Sequence, residues 1–467
     1  MENEKRTLNR REFLTIAAMA SAGAAVAACA PRTAVAPTAP AVAPTAPAAG
    51  PATPLPPTTV PPTEEPRDLT LLLVDWNDAF RTVLENEIIP AFQEANPGLT
   101  VLPDYTDWGG IDAKVMTAVA GGIAPDVFMA DNVELGPKYY AKGITAELDP
   151  FVAVTGAEAI LADFYPKAID EGCKTPDGKL VALPYWLENR AFFYRKDFMA
   201  EVGLDPDKPP TNWTELRDAA IKLTKRTDDT FERAGFQVGA NFQNYVIFLW
   251  QNNGVLFNET NDRVAWNRPE GIEALEYWVG IIRDDKVGPV ENMQNVGDLQ
   301  PFAAGLKAMA YSGSGTLANV GDFAPEIWDS VGVSVMGQKV KASLWYANAY
   351  LIAQSDHVEQ SWKLLSSLVL DDDNFLKYTE AMQTLSPRKS IAGRASFMTP
   401  LHMVMIEDVM NAPGSHTTPS LLFSAEVLYM LNDFVAKAMY GELTPKEALD
   451  QAADAGNQII ARVLSGG

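Results

Sequence analysis

The chain has 467 residues, of which 47% are hydrophobic and 9% aromatic, a composition typical of a folded globular protein and not of a disordered one. Its length exceeds that of one ordinary domain, so more than one hydrophobic core is expected. The net charge of −23 argues against nucleic acid as a partner, because phosphate binding needs clustered Lys and Arg side chains. The two cysteines, Cys29 and Cys173, do not form the pattern of a disulfide framework.

The first 28 residues have the pattern of a signal peptide, since basic residues precede a run of small apolar residues that ends at Cys29. Cleavage before Cys29 would let its thiol carry a lipid. Residues 29–67 are then a lipidated Cys and a Pro-, Ala- and Thr-rich tether. The alternative is an ordinary signal peptide with a chance cysteine. The segment Asn9–Leu14 (NRREFL) is similar to a twin-arginine motif, and the Sec route stays open.

Strands and helices then alternate along the chain. Apolar runs predict strands at Leu69–Val74, Leu99–Leu102 and Val127–Met129, with helical patterns between them. This alternation predicts a parallel sheet with helices on its faces. Ligands bind beyond the carboxyl ends of such strands, so the aromatic and polar residues at these ends are candidate ligand-binding residues. They are Trp76, Trp108, Asp131 and Asn132.

The stretch from Gly178 to Leu216 interrupts this alternation. Two apolar runs, Leu180–Leu183 and Ala191–Tyr194, predict strands separated by an aromatic and charged patch, and Pro184 is predicted to end the first strand. We interpret this as a chain that leaves one core and enters a second. The patch would then lie between the cores, where ligand sites form.

Tryptophans recur at strand ends and in polar loops, at Trp76, Trp108, Trp186 and Trp345. An indole ring can pack against the apolar C–H face of a sugar, while acidic and amide side chains bind its hydroxyl groups. Packing in the core is the alternative role for any one of these tryptophans.

The sequence lacks the patterns of common catalytic and metal sites. The histidines His357, His402 and His416 have no His or Cys neighbour at metal-ligand spacing. Neither a phosphate-binding glycine loop nor a nucleophile elbow occurs in the sequence. We therefore expect no metal, no cofactor and no enzymatic activity.

Several segments in this order, AFQEANPG, GGIAPDVFMAD, LPYW, YRKD, GLDPDKPPTNWTEL and GELTPKEAL, resemble extracellular solute-binding protein family 1. These are the sugar-binding lipoproteins of ABC transporters and include the maltose-binding protein. The resemblance implies an α/β, periplasmic-binding-protein-like fold of type II, with two α/β lobes joined by a hinge. The N-terminal lobe would comprise residues 68–186 and 349–395, and the C-terminal lobe residues 187–348 and 396–467.

The resemblance also implies a function. The chain would be an exported monomer, lipid-anchored to the outer face of the cell membrane, that binds a carbohydrate between its lobes and delivers it to an ABC permease. The alternatives are a binder of another polar solute (a polyol, a glycerol phosphodiester or a peptide) and an enzyme or co-receptor on the same fold.

The site residues implied by the family lie on both predicted lobes. Glu188 aligns with a glutamate that hydrogen-bonds sugar in the maltose-binding protein, although a hinge ion pair with Arg190 is an alternative role. The other implied or expected positions are Trp186, Asn241, Gln243, Ser312, Trp345, Tyr346 and Arg388.

Two positions depart from the family pattern. Gly315 and Leu428 stand near positions where the family has tryptophans that stack on the ligand. We therefore expect a ligand other than a maltodextrin, with Trp186 or Trp345 supplying the stacking faces.

Overall fold

The computed structural model describes residues 66–130, 137–228 and 230–466. The predicted signal peptide, lipidated Cys29 and the tether up to residue 65, and the candidates Asp131 and Asn132, lie outside these residues, whereas Arg67, the last predicted tether residue, begins the first strand. The strands are β1 (Arg67–Val74), β2 (Leu99–Thr106), β3 (Val127–Ala130), β4 (Leu183–Asn189), β5 (Ala191–Arg195), β6 (Lys225–Thr227), β7 (Thr230–Arg233), β8 (Met309–Ser312), β9 (Val331–Ser334) and β10 (Trp345–Ile352).

The helices fill the segments between the strands. In chain order they are Asp78–Val83, a π-helical turn Leu84–Ile88, Ile89–Ala95, Ile111–Ala120, Pro137–Ala141, Asp149–Thr155, Glu158–Leu161, Pro166–Asp170, Lys196–Glu201, Trp213–Leu223, Phe242–Gln251, Pro269–Arg283, Gly315–Phe323, a 3₁₀ turn Pro325–Ser330, Val358–Val369, Asp372–Met382, Lys389–Ala392, Pro400–Met403, a second π-helical turn Val404–Asp408, Val409–Asn411, Ser424–Tyr440 and Pro445–Leu464. None of these described helices has both the length and the apolar character needed to cross a lipid bilayer.

The first sheet has five strands in the order β2-β1-β3-β10-β4. β1 runs parallel to β2 and to β3, and β10 is antiparallel to both β3 and β4. Strands β1 to β4 therefore all point the same way, and their carboxyl ends meet at one edge. This confirms the predicted α/β class and its parallel start.

The bounds of β4 differ from those that the sequence predicted. β4 begins at Leu183 and runs through Pro184 to Asn189, whereas the sequence predicted a strand that ended at Pro184. β4 is the edge strand of the sheet, where the missing N–H of proline disturbs the ladder least. Arg190 alone separates β4 from β5.

The second sheet is antiparallel, in the order β8-β5-β9. The chain passes between the two sheets at Arg190, and it returns at Trp345, which pairs with Asn189 in the first sheet. A third segment lies beside this return, because the Trp345 amide donates a 3.3 Å hydrogen bond to the carbonyl of His416. The passages between the sheets are thus held side by side.

Two hydrophobic cores surround these sheets. β5 contributes to both, since Phe193 packs in the first core and Phe192 and Tyr194 in the second, as alternating side chains of a strand must. Met405 and Met410 pack in the first core, although the sequence prediction places residues 396–467 in the C-terminal lobe. The lobe boundaries stay a prediction.

The segment 235–239, whose sequence predicts a short strand between two glycines, does not form one. Residues 235–239 are irregular, because the Gly235 amide donates to the carbonyl of Val287 and the Gln237 amide to that of Met309, and no regular ladder results.

Candidate functional site

A cavity of about 910 Å³ lies where the carboxyl edge of the first sheet faces the turn after β8. Side chains from both sheets and from helices of both cores contribute to its wall. The lining residues are Trp76, Asn77, Trp108, Gly109, Asp112, Ala113, Trp186, Glu188, Arg190, Gln243, Gln300, Ser312, Gly313, Ser314, Gly315, Thr316, Ala318, Asp322, Tyr346, Asn348, Met382, Gln383, Thr384 and Tyr429.

One side of the cavity is an aromatic wall made by Trp76, Trp108 and Trp186. Trp76 follows β1 and Trp108 follows β2, whereas Trp186 lies within β4. The ring centroids of Trp186 and Trp76 are 4.6 Å apart, and those of Trp186 and Trp108 are 6.1 Å apart. The Trp76 indole N–H donates a 3.1 Å hydrogen bond to the carbonyl of Met382, which fixes the ring. The three rings form one continuous apolar surface.

The floor of the cavity carries an ion pair. Glu188 Oε1 lies 3.3 Å from Arg190 Nε, and both side chains are largely buried. Burial raises the pKa of Glu188, and the positive charge of Arg190 opposes this shift without cancelling it. The floor therefore holds a carboxylate whose charged form is disfavoured by burial and favoured by its neighbouring arginine.

Hydroxyl and amide groups complete the polar side. Ser312 Oγ and Thr316 Oγ1 are 2.6 Å apart, and Thr316 Oγ1 lies 3.4 Å from the side-chain oxygen of Gln300. Gly313 adds no side chain between them, so backbone of this turn reaches the floor. Small polar groups of this kind can donate to or accept from ligand hydroxyl groups.

The structure brings many of the sequence-predicted site residues together around this one cavity. That they bind a ligand stays a prediction. The predicted residues that line the cavity are Trp76, Trp108, Trp186, Glu188, Gln243, Ser312 and Tyr346.

Trp345 does not reach the cavity, which corrects the sequence prediction. Its side chain is 0% exposed and packs in the first core, whereas the neighbouring Tyr346 lines the cavity. Successive side chains of a strand point to opposite faces, so Tyr346 and Trp345 of β10 cannot both face the ligand space. Of the two tryptophans expected to supply stacking faces, only Trp186 lies on the wall.

Arg388 and Asn241 also lie away from the cavity wall. Arg388 is 2% exposed and forms ion pairs with Asp163 and Asp372 within the first core region. Asn241 is the N-cap of helix Phe242–Gln251, and its side-chain oxygen accepts a 3.0 Å hydrogen bond from the amide of Asn244. Both residues are structural in this arrangement: the buried Arg388 guanidinium pairs with two more exposed acids, and Asn241 caps a helix.

Several lining residues were not predicted. Asn77 and Arg190 adjoin predicted residues, so a wider window around Trp76 and Glu188 would have included them. Tyr429 directly follows Leu428, which stands near a position where the family has a tryptophan that stacks on the ligand. Met382–Thr384 reach the cavity only because their helix end packs beside Trp76, a contact that no local pattern reveals.

Comparison with known proteins agrees with this architecture. Residues 87–402 match the family model described as bacterial extracellular solute-binding protein. The sn-glycerol-3-phosphate-binding periplasmic protein UgpB of Escherichia coli K12 is 23% identical over 408 residues, which cover 79% of this chain and 88% of that protein.

Solved structures share the fold. An ABC transporter solute-binding protein from Thermotoga lettingae, bound with α-D-tagatose, has a TM-score of 0.70 and 23% identity, covering 84% of this chain and 100% of the other. The sugar-binding protein MalE from Xanthomonas citri has a TM-score of 0.72 and 19% identity, covering 85% and 98%. The family match spans most of the folded chain, and the chain therefore belongs to the bacterial extracellular solute-binding protein family.

Proposed function

We propose that the chain is the substrate-binding protein of an ABC importer and that it binds a carbohydrate in the cavity for delivery to the permease. The observation that carries this proposal is the aromatic wall of Trp76, Trp108 and Trp186 facing a floor of carboxylate, guanidinium, hydroxyl and amide groups. A sugar presents an apolar C–H face and a rim of hydroxyl groups, and this wall and floor complement both.

The size of the cavity favours more than one sugar ring. Its volume of about 910 Å³ lies near the upper end of the roughly 300–1,000 Å³ typical of small-molecule sites. The structural relatives from Thermotoga lettingae and Xanthomonas citri are a tagatose-bound protein and a sugar-binding protein by name. Both names support a sugar ligand, and the cavity volume leads us to infer an oligosaccharide as the substrate class.

The charges of the wall favour a neutral ligand over a phosphorylated one. Among the described lining residues Arg190 is the one cation, and its charge is already paired with Glu188. Asp322 adds negative charge to the wall, whereas Asp112 is paired with Lys138 at 2.6 Å. A phosphate group would meet net repulsion here, so the specificity named for the relative UgpB is the less favoured alternative.

The position in the cell is part of the same proposal. Export and lipidation at Cys29 would tether the body, as a monomer, to the outer face of the membrane beside the permease. The support is the family membership and the sequence pattern that ends at Cys29. Closure of the two predicted lobes about the hinge would enclose the ligand.

A thermal-shift screen followed by calorimetric titration tests the function. Neutral oligosaccharides should raise the melting temperature, since a ligand at 100 times its Kd stabilises the folded state by about 2.7 kcal/mol. Glycerol 3-phosphate and a short peptide are the comparison ligands. Binding of either one without any sugar would overturn the proposal, and conversion of a bound sugar to product would favour an enzyme instead.

A further inference from the structure

Arg190 occupies an unusual place in the fold, because it is the single residue that joins the two sheets at the first passage. Its amide donates a 2.8 Å hydrogen bond to the carbonyl of Leu344, and its own carbonyl accepts from the hydroxyl of Ser343. Both partners belong to the return passage of the chain. The backbone of Arg190 is therefore fixed on both sides.

The side chain of Arg190 reaches from this fixed backbone into the cavity. Residues two apart on an extended chain point the same way, so Trp186, Glu188 and Arg190 all face the ligand space. Arg190 Nε is 3.3 Å from Glu188 Oε1, with 28% of the arginine and 16% of the glutamate side chain exposed. The remaining guanidinium nitrogens leave donors for a ligand.

Gly313 closes the other side of the carboxylate. A Cβ placed on Gly313 would lie 2.2 Å from Glu188 Oε1 and 3.0 Å from Oε2, so only glycine allows this approach. The carboxylate is confined between the guanidinium and the backbone of the turn after β8. A side chain at Gly313 would displace the carboxylate from this position beside Arg190.

The arginine matters because a buried carboxylate without a cation takes up a proton. Burial raises the pKa of Glu188, and Arg190 acts against that rise. The other titratable groups on the wall come from four further elements and are two carboxylates, of which Asp112 is paired with Lys138, and two tyrosines, which are uncharged near neutral pH. They are Asp112 on helix Ile111–Ala120, Asp322 on helix Gly315–Phe323, Tyr346 on β10 and Tyr429 on helix Ser424–Tyr440.

We propose that Arg190 is a positioning residue for ligand binding, which holds the Glu188 carboxylate ionised and oriented before the ligand arrives. Ligand hydroxyl groups then donate to an acceptor that is already formed, which lowers the cost of ordering the site. This inference rests on the proposed function for the ligand but makes a separate statement about the free protein.

The first experiment needs no ligand. The carboxyl-carbon NMR signal of Glu188, assigned by its loss in Glu188→Gln, is titrated in the wild type, Arg190→Met and Arg190→Lys. The titration midpoint should move to higher pH in Arg190→Met and stay near the wild-type value in Arg190→Lys. An unchanged midpoint in Arg190→Met would overturn the inference, whether or not a sugar is known to bind.

The second experiment measures affinity against pH for the oligosaccharide found in the screen. Affinity needs the ionised carboxylate, so it should fall as pH drops through the Glu188 pKa, and this fall should begin at higher pH in Arg190→Met. At neutral pH Arg190→Met should weaken binding roughly tenfold to a hundredfold, as expected for hydrogen bonds to charged groups. Glu188→Gln should bind weakly at every pH.

Two further variants separate positioning from a merely structural role. Arg190→Lys should recover the wild-type pH profile, and Arg217→Met should leave it unchanged because Arg217 pairs with Asp285 outside the cavity. If Arg190→Met folds poorly, the double variant Glu188→Gln, Arg190→Met removes both charges and restores folding. A wild-type pH profile in Arg190→Met would again overturn the inference, whereas failure of every sugar to bind would overturn only the proposed function.

Discussion

The orientation of single residues decides which tryptophans serve the cavity and which serve the core. Trp186 alternates with Leu187 on β4 and faces the cavity, whereas Trp345 alternates with Tyr346 on β10 and faces the first core. Strand ends were predictable, because an apolar run shows where a strand stops. The face of Trp345 was not predicted, although Tyr346 and Asn348, which alternate with Trp345 and Ala347, both line the cavity.

A pair of substitutions tests this assignment. Trp76→Ala should weaken sugar binding by about 1 to 3 kcal/mol, the value of burying such a side chain, with little change in stability. Trp345→Ala should instead lower the free energy of unfolding by about 3–5 kcal/mol, as for a buried tryptophan. Calorimetric titration and chemical unfolding measure the two effects. Loss of stability in Trp76→Ala equal to that of Trp345→Ala would contradict the assignment.

At the scale of elements, Arg388 links parts of the first core that are far apart in sequence. Its guanidinium donates to Asp163 after helix Glu158–Leu161 and to the last carbonyls of helix Val358–Val369, those of Val369 and Leu370. A cation at a helix C-terminus also interacts favourably with the helix dipole. The sequence analysis gave Arg388 as a ligand-site residue, and the partners of its guanidinium could not be predicted because they come from other parts of the chain.

Replacing Arg388 should therefore lower the free energy of unfolding and leave the affinity for the ligand unchanged. Arg388→Ala should cost about 1–3 kcal/mol, because it leaves the partly buried Asp163 carboxylate and the carbonyls of Val369 and Leu370 without their donor. The exposed Arg394→Ala should change stability by no more than about 0.5 kcal/mol. Chemical unfolding measures both, and equal losses would show that burial of the guanidinium is unimportant.

The same variant has a predicted pH dependence. Burial raises the pKa of Asp163, but hydrogen bonds from Ser390 and Arg388 outweigh this and hold it below its usual value. The stabilisation is therefore present above the unfolded-state pKa and lost as pH falls through the lower folded-state pKa. The difference in melting temperature between the wild type and Arg388→Ala should narrow on acidification.

At the scale of the whole molecule, two features could be predicted because each depends on a local pattern. The alternation of strands and helices predicted the parallel part of the first sheet. The aromatic and charged patch at residues 184–190 predicted that the chain passes there from one core to the other. The exact division into lobes stays a prediction, and the segment near Met405 and Met410, which that prediction assigns to the C-terminal lobe, packs in the first core. Which core an amphipathic segment joins depends on the passages around it and not on its own sequence.

The anchor is a prediction for the whole molecule. Cys29→Ser should abolish lipidation and release the protein from the membrane, while the folded body keeps its melting temperature and its affinity for sugar. Detergent phase partitioning measures the attachment. Partitioning of the wild-type protein into the aqueous phase would contradict the lipoprotein proposal, and Cys173→Ser, which changes a buried thiol, is the matched control.

The position of β10 also constrains how the protein folds. β10 lies between β3 and β4 in the first sheet, although the strands of the second sheet come before it in the chain. The first sheet cannot form completely until the chain has been synthesised past Ile352. Contacts between segments that are so far apart in sequence form slowly. A fragment that ends before Trp345 lacks the strand that joins β3 to β4, so the N-terminal half is not an independent folding unit.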